Sequence, residues 1–581
     1  MANLKYIHNL YQQMLTKKNS SDLEEAVAIA REILSLSPRN RPIMEDVADI
    51  FITANFLADA HASITFIENH FHSTPYLYVL KTQLAYGEGD YQTVLDCAPI
   101  GIDAPTLGPF YKAVLYNILA KVYLALGDTE KSASISLKSA HLPGNPSKYW
   151  EYGNYLFALQ HRNIPKQQLF SAISDYSTLF QDIEPYEHSI KHHHDQLRIG
   201  YISADFNNSV VSHFTYALFT AYNKERFVIY AYNMGITDDT TQKLKASVNI
   251  WREVGNLAPA EASALIYADD LDILFDLAGH TNHNGLPIMA YKPAPIQISG
   301  IGWMNSTGLP TIDYFLTDVN VDPVGLNDDF FTEKLLRLPN SHFCYTPFQD
   351  IPPAIKPAPF SKTGYITFGC FNRFEKVTDE MLVIWAHIMK LVPNSHLILR
   401  SQLFTIPLVR KTAINRLITT GFDISRIRLE GFVVDYLGAY GEIDIALDTF
   451  PYPGGGTTCD ALYAGVPVVT LIGKSHNSRF GYSILKNLEL EELCANTPDD
   501  YIKICVELAN SPDLLNQLHI LLQNRMKKSS LMNKELYMHD LENYYIQLVA
   551  GTSDKLPCPL DKHNRLRIGR NHNLHNEDGT I

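Results

Sequence analysis

The run DTFPYPGGGTTCDALYAGVPVVTL, residues 448–471, decides how the chain is read. It joins the end of an apolar segment, DIALDTF, to a loop with three glycines, then to an amphipathic stretch and a second apolar segment, PVVTL. Apolar, β-rich segments separated by helical spacers specify parallel βαβ units. Within this one, Gly454, Gly455 and Gly456 let the backbone approach a ligand closely, and Thr457 and Thr458 can cap a helix while offering hydroxyls. A helix starting near Thr457 aims free N–H groups and the positive end of its dipole into the loop, which suits a phosphate or pyrophosphate. A turn with a flexible tip is the competing reading of an isolated GGG. The rest of the chain has to choose.

Working outward, the same grammar recurs. From Leu197 the segments LRIGYISADF (197–206), FVIYAYN (227–233) and LDILFDLAGH (271–280) alternate with helical spacers. The pattern restarts after the proline-rich IPPAIKPAPF (351–360), with YITFGCF, HLILR, IRLEGF, DIALDTF and PVVTLIG as strand candidates. Two doubly wound α/β halves joined by such a linker face each other across a cleft, with ligands at the carboxyl ends of the strands. The expected units are a first lobe over 197–350 and a second over 361–550, with a polar, aperiodic tail over 551–581.

Residues 1–190 read differently. Apolar positions at helical spacing run through LEEAVAIAREILSLS, VADIFITANFLADAHASITFIENHF and YNILAKVYLALGDTEKSASISLKSA. Pro38, Pro75, Pro109 and Pro146 follow at steps of 37, 34 and 37 residues, and the turn Gly89-Asp90 recurs as Gly127-Asp128. A period in the mid-thirties marks a tetratricopeptide-like array, whose concave face takes extended peptides. A generic helical bundle, or a rigid flank, is the plainer alternative. The adjacent histidines His192, His193 and His194 point in different directions, so EHSIKHHHD reads as a polar linker and not as a metal site.

With 581 residues, 46% of them apolar and 19% charged, the chain is globular and long enough for three or four domains. A net charge of −14 and the lack of any basic block argue against nucleic acid as partner. No apolar run reaches membrane-spanning length, and the first residues lack a signal-peptide core. Seven scattered cysteines without a CxxC pair fit reduced thiols in a cytoplasmic protein without a structural metal.

Polar residues collect after successive strands: Asp205, Asn207, Asn208, Ser209 and His213; Asp276, Gly279, His280 and Thr281; Asn372, Arg373 and Lys376; and the 448–460 loop. In this setting DLAGHT (276–281), KPAPIQISGIGWMNSTGLPTIDYFLTD (292–318), FGCFNRFEKVT (368–378) and DIALDTFPYPGGGTTCDALYAGVPVVTL (444–471) together resemble the O-linked N-acetylglucosamine transferase and SPINDLY family. The similarity covers about 197 to 550, and the upstream repeats match the family layout.

That resemblance implies the GT-B fold of two Rossmann-like lobes, with a nucleotide-sugar donor gripped mainly by the second. Gly454–Gly456, Thr457 and Thr458 would hold the diphosphate, Asp460 the ribose, and Lys376 the charge that grows on the leaving group. Arg373 matches a position near the nucleotide. In the first lobe Pro295 and Gln297 match the PAPIQ motif, Gly302 and Thr307 a turn near the donor sugar, and His280 and Thr281 the same cleft; His476 and Arg479 match a loop near the donor. The implied reaction is inverting transfer of N-acetylglucosamine from UDP to Ser or Thr of a protein acceptor, with no metal or cofactor. Asp205, His213 and His280 are the candidate bases. The Asp270–Asp272 triplet reads as a strand cap. Three family histidines fall at Ser209, Tyr436 and Gly455 here, which leaves GDP-fucose or UDP-glucose as alternative donors. A catalytically silent peptide-binding scaffold is the reading from a different class.

Overall fold

Each turn of the sequence repeat is built from the same parts. Gly89 and Gly127 take left-handed backbone conformations (φ 76° and 85°), which glycine adopts without strain. The aspartates that follow cap the next helices, Asp90 accepting from the Thr93 N–H at 3.2 Å and Asp128 from the Lys131 N–H at 3.1 Å. Pro75 and Pro109 sit in first helical turns, where a missing N–H costs nothing. The computed structural model describes residues 2–19, 22–36, 39–188, 194–347 and 357–551. Pro38, His192, His193, the core of the proline-rich linker and the tail beyond Gly551 lie outside them. Among the described residues ten α-helices precede the first strand, from Ala2–Asn19 to Lys166–Ser174, followed by a 3-10 segment at Asp175–Phe180.

The first lobe holds seven parallel strands: β1 (Leu197–Ser203), β2 (Phe227–Asn233), β3 (Ile250–Glu253), β4 (Ile273–Asp276), β5 (Ile296–Gly300), β6 (Tyr314–Asp318) and β7 (Lys334–Leu338), in the order 3-2-1-4-5-6-7. Leu197 pairs with Phe227 and Ile199 with Ile273. The second lobe has β8 (Thr367–Cys370), β9 (His396–Arg400), β10 (Ile427–Glu430), β11 (Ile445–Leu447), β12 (Val468–Leu471) and β13 (Cys494–Ala495), in the order 10-9-8-11-12-13. Strand order reverses between β1 and β4 and again between β8 and β11. Loops leaving those strands diverge and open a crevice at the carboxyl edge of each sheet.

The pieces are locked together. The last described helix, Lys534–Val549, returns to the first lobe, where the Tyr545 and Tyr201 hydroxyls meet at 3.3 Å and the Tyr544 hydroxyl donates to the Arg337 carbonyl at 2.7 Å. One apolar core runs through both lobes and the last helices of the array. A separate cluster seats Tyr91, Val94, Ile118 and Val122 of the array on Val409 of the second lobe.

His194 is more than linker. Its ring nitrogens lie 3.0 Å from Asp272 and 3.1 Å from Asp270, and Asp272 also accepts from the Arg198 N–H at 2.8 Å. The acidic triplet thus fastens the entry to β1, at the edge of the sheet opposite the crevice.

Candidate active site

The centre of the site is a buried carboxylate. Asp448 directly follows β11 and is 2% exposed. Its Oδ1 accepts from the Gly454 N–H at 2.7 Å, the Thr449 N–H at 2.9 Å and Asn372 Nδ2 at 3.3 Å, while Oδ2 accepts from the Thr470 hydroxyl at 2.8 Å. Burial pushes this carboxyl up, and the donors oppose that. Asn372, leaving the neighbouring β8, also accepts from the Thr457 hydroxyl at 2.6 Å. Asp448 and Asn372 therefore fold the glycine loop against the β8 loop. A Cβ at Gly454 would stand 2.4 Å and 2.6 Å from the Thr457 and Thr458 hydroxyl oxygens, so only glycine fits.

The helix expected near Thr457 runs Gly456–Tyr463, with Gly455 at its N-cap and no side-chain cap. The two threonines are spent elsewhere, Thr457 on Asn372 and Thr458 on the Gly454 carbonyl at 3.1 Å. The first-turn N–H groups are thereby left for a ligand. Lys376, on the turn Phe374–Lys376, is half-buried; its ammonium donates to the Pro453 carbonyl at 3.2 Å and lies 3.6 Å from the centre of the Tyr452 ring. Burial lowers its pKa to about 8, Asp448 working against this and Arg373 with it. Arg373 is exposed, and its guanidinium pairs with Glu375 at 2.8 Å. Lys376 and Thr457 thus belong to one pair of interlocked loops.

Asp460 accepts from the Tyr345 hydroxyl at 2.6 Å. Burial raises its carboxyl to about 7, the tyrosine bond pulling the other way. The Tyr436 hydroxyl meets that of Tyr440 at 3.0 Å, and Tyr440 donates to the Thr457 carbonyl at 3.1 Å. Tyr436 supports the helix start through a second tyrosine.

Facing them is the loop after β1. A Cβ on Gly456 would come within 2.4 Å of Val210, which is 59% exposed, so the loop after β1 meets the start of the helix here. Asp205 and His213 flank that contact, both half-buried; burial pushes the Asp205 carboxyl up and the His213 imidazole down. The His213 ring lies 6.0 Å from that of Tyr345.

Other expected residues sit elsewhere. His280 donates from Nε2 to the Thr307 carbonyl at 2.7 Å, and its ring is sealed between Trp303 and Tyr176. Burial lowers its pKa to about 4, and its remaining nitrogen faces Gly153 of the helix Lys148–Gln160. It ties two loops to the array and does not reach the crevice as a base. Thr307 spends its N–H and hydroxyl on Glu333, and Thr281 bonds the Ala278 carbonyl at 2.9 Å. Gly302 packs on the Leu277 carbonyl. Pro295 and Gln297 precede and begin β5, which runs toward the crevice, so they lie at its far end; the Gln297 amide braces Met289 and Thr311. His476 and Arg479 are interlobe ties, His476 to Asp322 at 2.6 Å and Arg479 to the Asn320 carbonyl at 2.9 Å. Burial opposes ionisation of Asp322, but His476 together with the Thr317 hydroxyl and the Asn327 amide outweighs it and holds the carboxyl at about 2.

Tyr452, Tyr345 and His161 have no place in the expectations from sequence. Tyr452 had a readable signal, an aromatic residue directly before the PGGG turn. His161 carried none, because it closes the helix Lys148–Gln160 and reaches Tyr452, at 5.3 Å between ring centres, only through folding. Among the described residues no group of three or more His, Cys, Asp or Glu side chains is placed to hold a metal ion.

Comparison with known proteins gives the family and the fold. The chain is 35% identical over 405 residues to a Petunia hybrida protein named probable UDP-N-acetylglucosamine–peptide N-acetylglucosaminyltransferase SPINDLY, covering 68% of this chain and 43% of that protein. Its Arabidopsis thaliana namesake is 34% identical over 404 residues, at 68% and 44% coverage. The chain thus spans less than half the length of these relatives. A solved structure, a lysine-to-methionine mutant of Thermobaculum terrenum O-GlcNAc transferase, superposes with a TM-score of 0.76 at 24% identity, over 96% of this chain and all of that one, and shows the same fold. Residues 159–352 and 362–541, both lobes and the close of the helical array, match the pattern described as Glycosyl transferase family 41, and to that family the chain belongs.

Proposed function

We propose that this protein transfers N-acetylglucosamine from UDP-N-acetylglucosamine to Ser or Thr hydroxyls of protein acceptors, with inversion and without a metal. The observation that carries the reading is Lys376 held beside the uncapped start of the helix Gly456–Tyr463. An ammonium and a helix N-terminus together supply positive charge for a departing diphosphate, the role a metal plays in other transferases. Asp460 and the loop after β11 offer a place for the ribose and pyrophosphate.

In the transfer, the acceptor oxygen attacks the anomeric carbon from the first-lobe side. The bond to the diphosphate oxygen breaks, and its electron pair leaves with the nucleotide. The hydroxyl proton passes to Asp205 or His213, directly or through water. Both flank the loop nearest the glycine turn, and neutral imidazole is the accepting form of His213. The helical array offers a surface for the acceptor chain, and the names of the plant relatives support a peptide substrate. No helix among the described residues is long and apolar enough to cross a membrane, and six described cysteines are buried free thiols, in keeping with a cytoplasmic setting.

Intact-mass analysis of acceptor proteins incubated with the enzyme and UDP-N-acetylglucosamine, GDP-fucose or UDP-glucose tests the reading. An N-acetylhexosamine increment from the first donor alone is expected. A deoxyhexose or hexose increment reassigns the donor, and no increment with any of them removes the transferase reading.

A further inference from the structure

The helix Lys148–Gln160 ends inside the site just described. Its last residue, Gln160, accepts from Asn477 of the second lobe at 3.3 Å through its carbonyl, and its side chain meets Asn305 of the first lobe at 3.5 Å. His161, the C-cap, is 2% exposed. Its Nδ1 donates to the Phe157 carbonyl at 2.9 Å, which fixes the ring, and its Nε2 is buried without a partner among the described residues. The ring stands edge-on to Tyr452 at 5.3 Å with an interplanar angle of 76°, and Phe157 meets the same tyrosine at 6.3 Å. Tyr452 in turn lies under the Lys376 ammonium.

We propose that His161 is a positioning residue for Lys376, acting through Tyr452, so that the helical array is a working part of the transferase centre. The tyrosine ring that bears the ammonium is held by an edge-to-face contact from the array, and that contact keeps water from the side of the ring it covers. Lys376 faces Asp448, Arg373, Glu375 and Cys370 from its own lobe and His161 from the array. Burial keeps His161 neutral, with a pKa of about 3; the Phe157 carbonyl opposes this, and Lys376 and Arg373 add to it. The histidine therefore acts by shape and dryness and adds no charge. Its removal admits water beside the ammonium, which relieves the desolvation that lowers the lysine.

The role rests on the assignment of Lys376 to the donor, so the test reads the lysine without any donor. The full chain is acylated with acetic anhydride across a pH series, and the Lys376 peptide is quantified by mass spectrometry. In the unsubstituted protein the midpoint is expected near 8. In folded His161→Ala it rises by about one unit or more, and in His161→Phe, which restores a ring edge, it returns to the starting value. His161→Gln, which lacks the ring, replaces the alanine variant if that does not fold, with the same rise expected. An unchanged midpoint in the ringless variants, or an equal rise with phenylalanine, overturns the proposal. A shifted midpoint in a protein that transfers no sugar removes the donor assignment and leaves the coupling standing.

Discussion

At the scale of single residues, the account turns on a lysine that can lose its proton. Removing a preorganised charge donor from a transition state costs about 3 kcal/mol, roughly a hundredfold in rate, and Lys376→Ala is expected to lose that much in kcat. Circular dichroism should show the fold intact, because among the described residues the ammonium holds only the Pro453 carbonyl and the Tyr452 face. The pH dependence has a definite sign. Free Lys376 deprotonates near 8, and a bound diphosphate favours the ammonium and raises that value. Nucleotide affinity should therefore be level below about pH 8 and weaken as pH rises through it, with proton uptake on binding in that range; calorimetry in buffers of different ionisation enthalpy checks both. Lys376 was legible in the sequence because it lies in a family motif. Asp448 was legible only as part of its loop, because its role comes from four donors gathered from Gly454, Thr449, Asn372 and Thr470.

At the scale of elements, the glycine turn and its helix are one unit. Gly454→Ala places a methyl against two threonine hydroxyls, and overpacking of this kind costs about 1–3 kcal/mol. The expected result is a lowered melting temperature together with weaker nucleotide binding, since the shift displaces the helix start itself. Strong alternation and long apolar runs made β1, β2, β4, β8, β9, β10, β11 and β12 readable from composition alone. The strands β3, β5, β6, β7 and β13 were not picked out: β3 and β13 are short edge strands, and β5, β6 and β7 follow one another through connections with no α-helix to set them apart, so pairing in the sheet defines them. The PAPIQ motif misled for a related reason. A motif near the site in sequence stands at the far end when its strand runs toward the crevice, as Gln297 does in β5.

At the scale of the molecule, three bodies close on one crevice, and the ties between them are buried. His476→Ala leaves the Asp322 carboxylate enclosed without its ring partner, a loss of about 3–5 kcal/mol. Adding Asp322→Asn should recover part of it, a coupling that a double-mutant cycle in thermal unfolding measures. The two-lobed architecture and the helical array were legible from periodicity and repeat spacing. Their contacts were not, because Gln160, His161 and Tyr345 meet residues more than a hundred positions away. The central claim is that the second lobe neutralises a nucleotide diphosphate with Lys376 and the helix start. Calorimetric titration of UDP and GDP into the full chain and into Lys376→Met tests it most directly. Saturable binding of one nucleotide, weakened about tenfold or more by the substitution, is the predicted result; equal affinity in both proteins, or no binding to either, contradicts it.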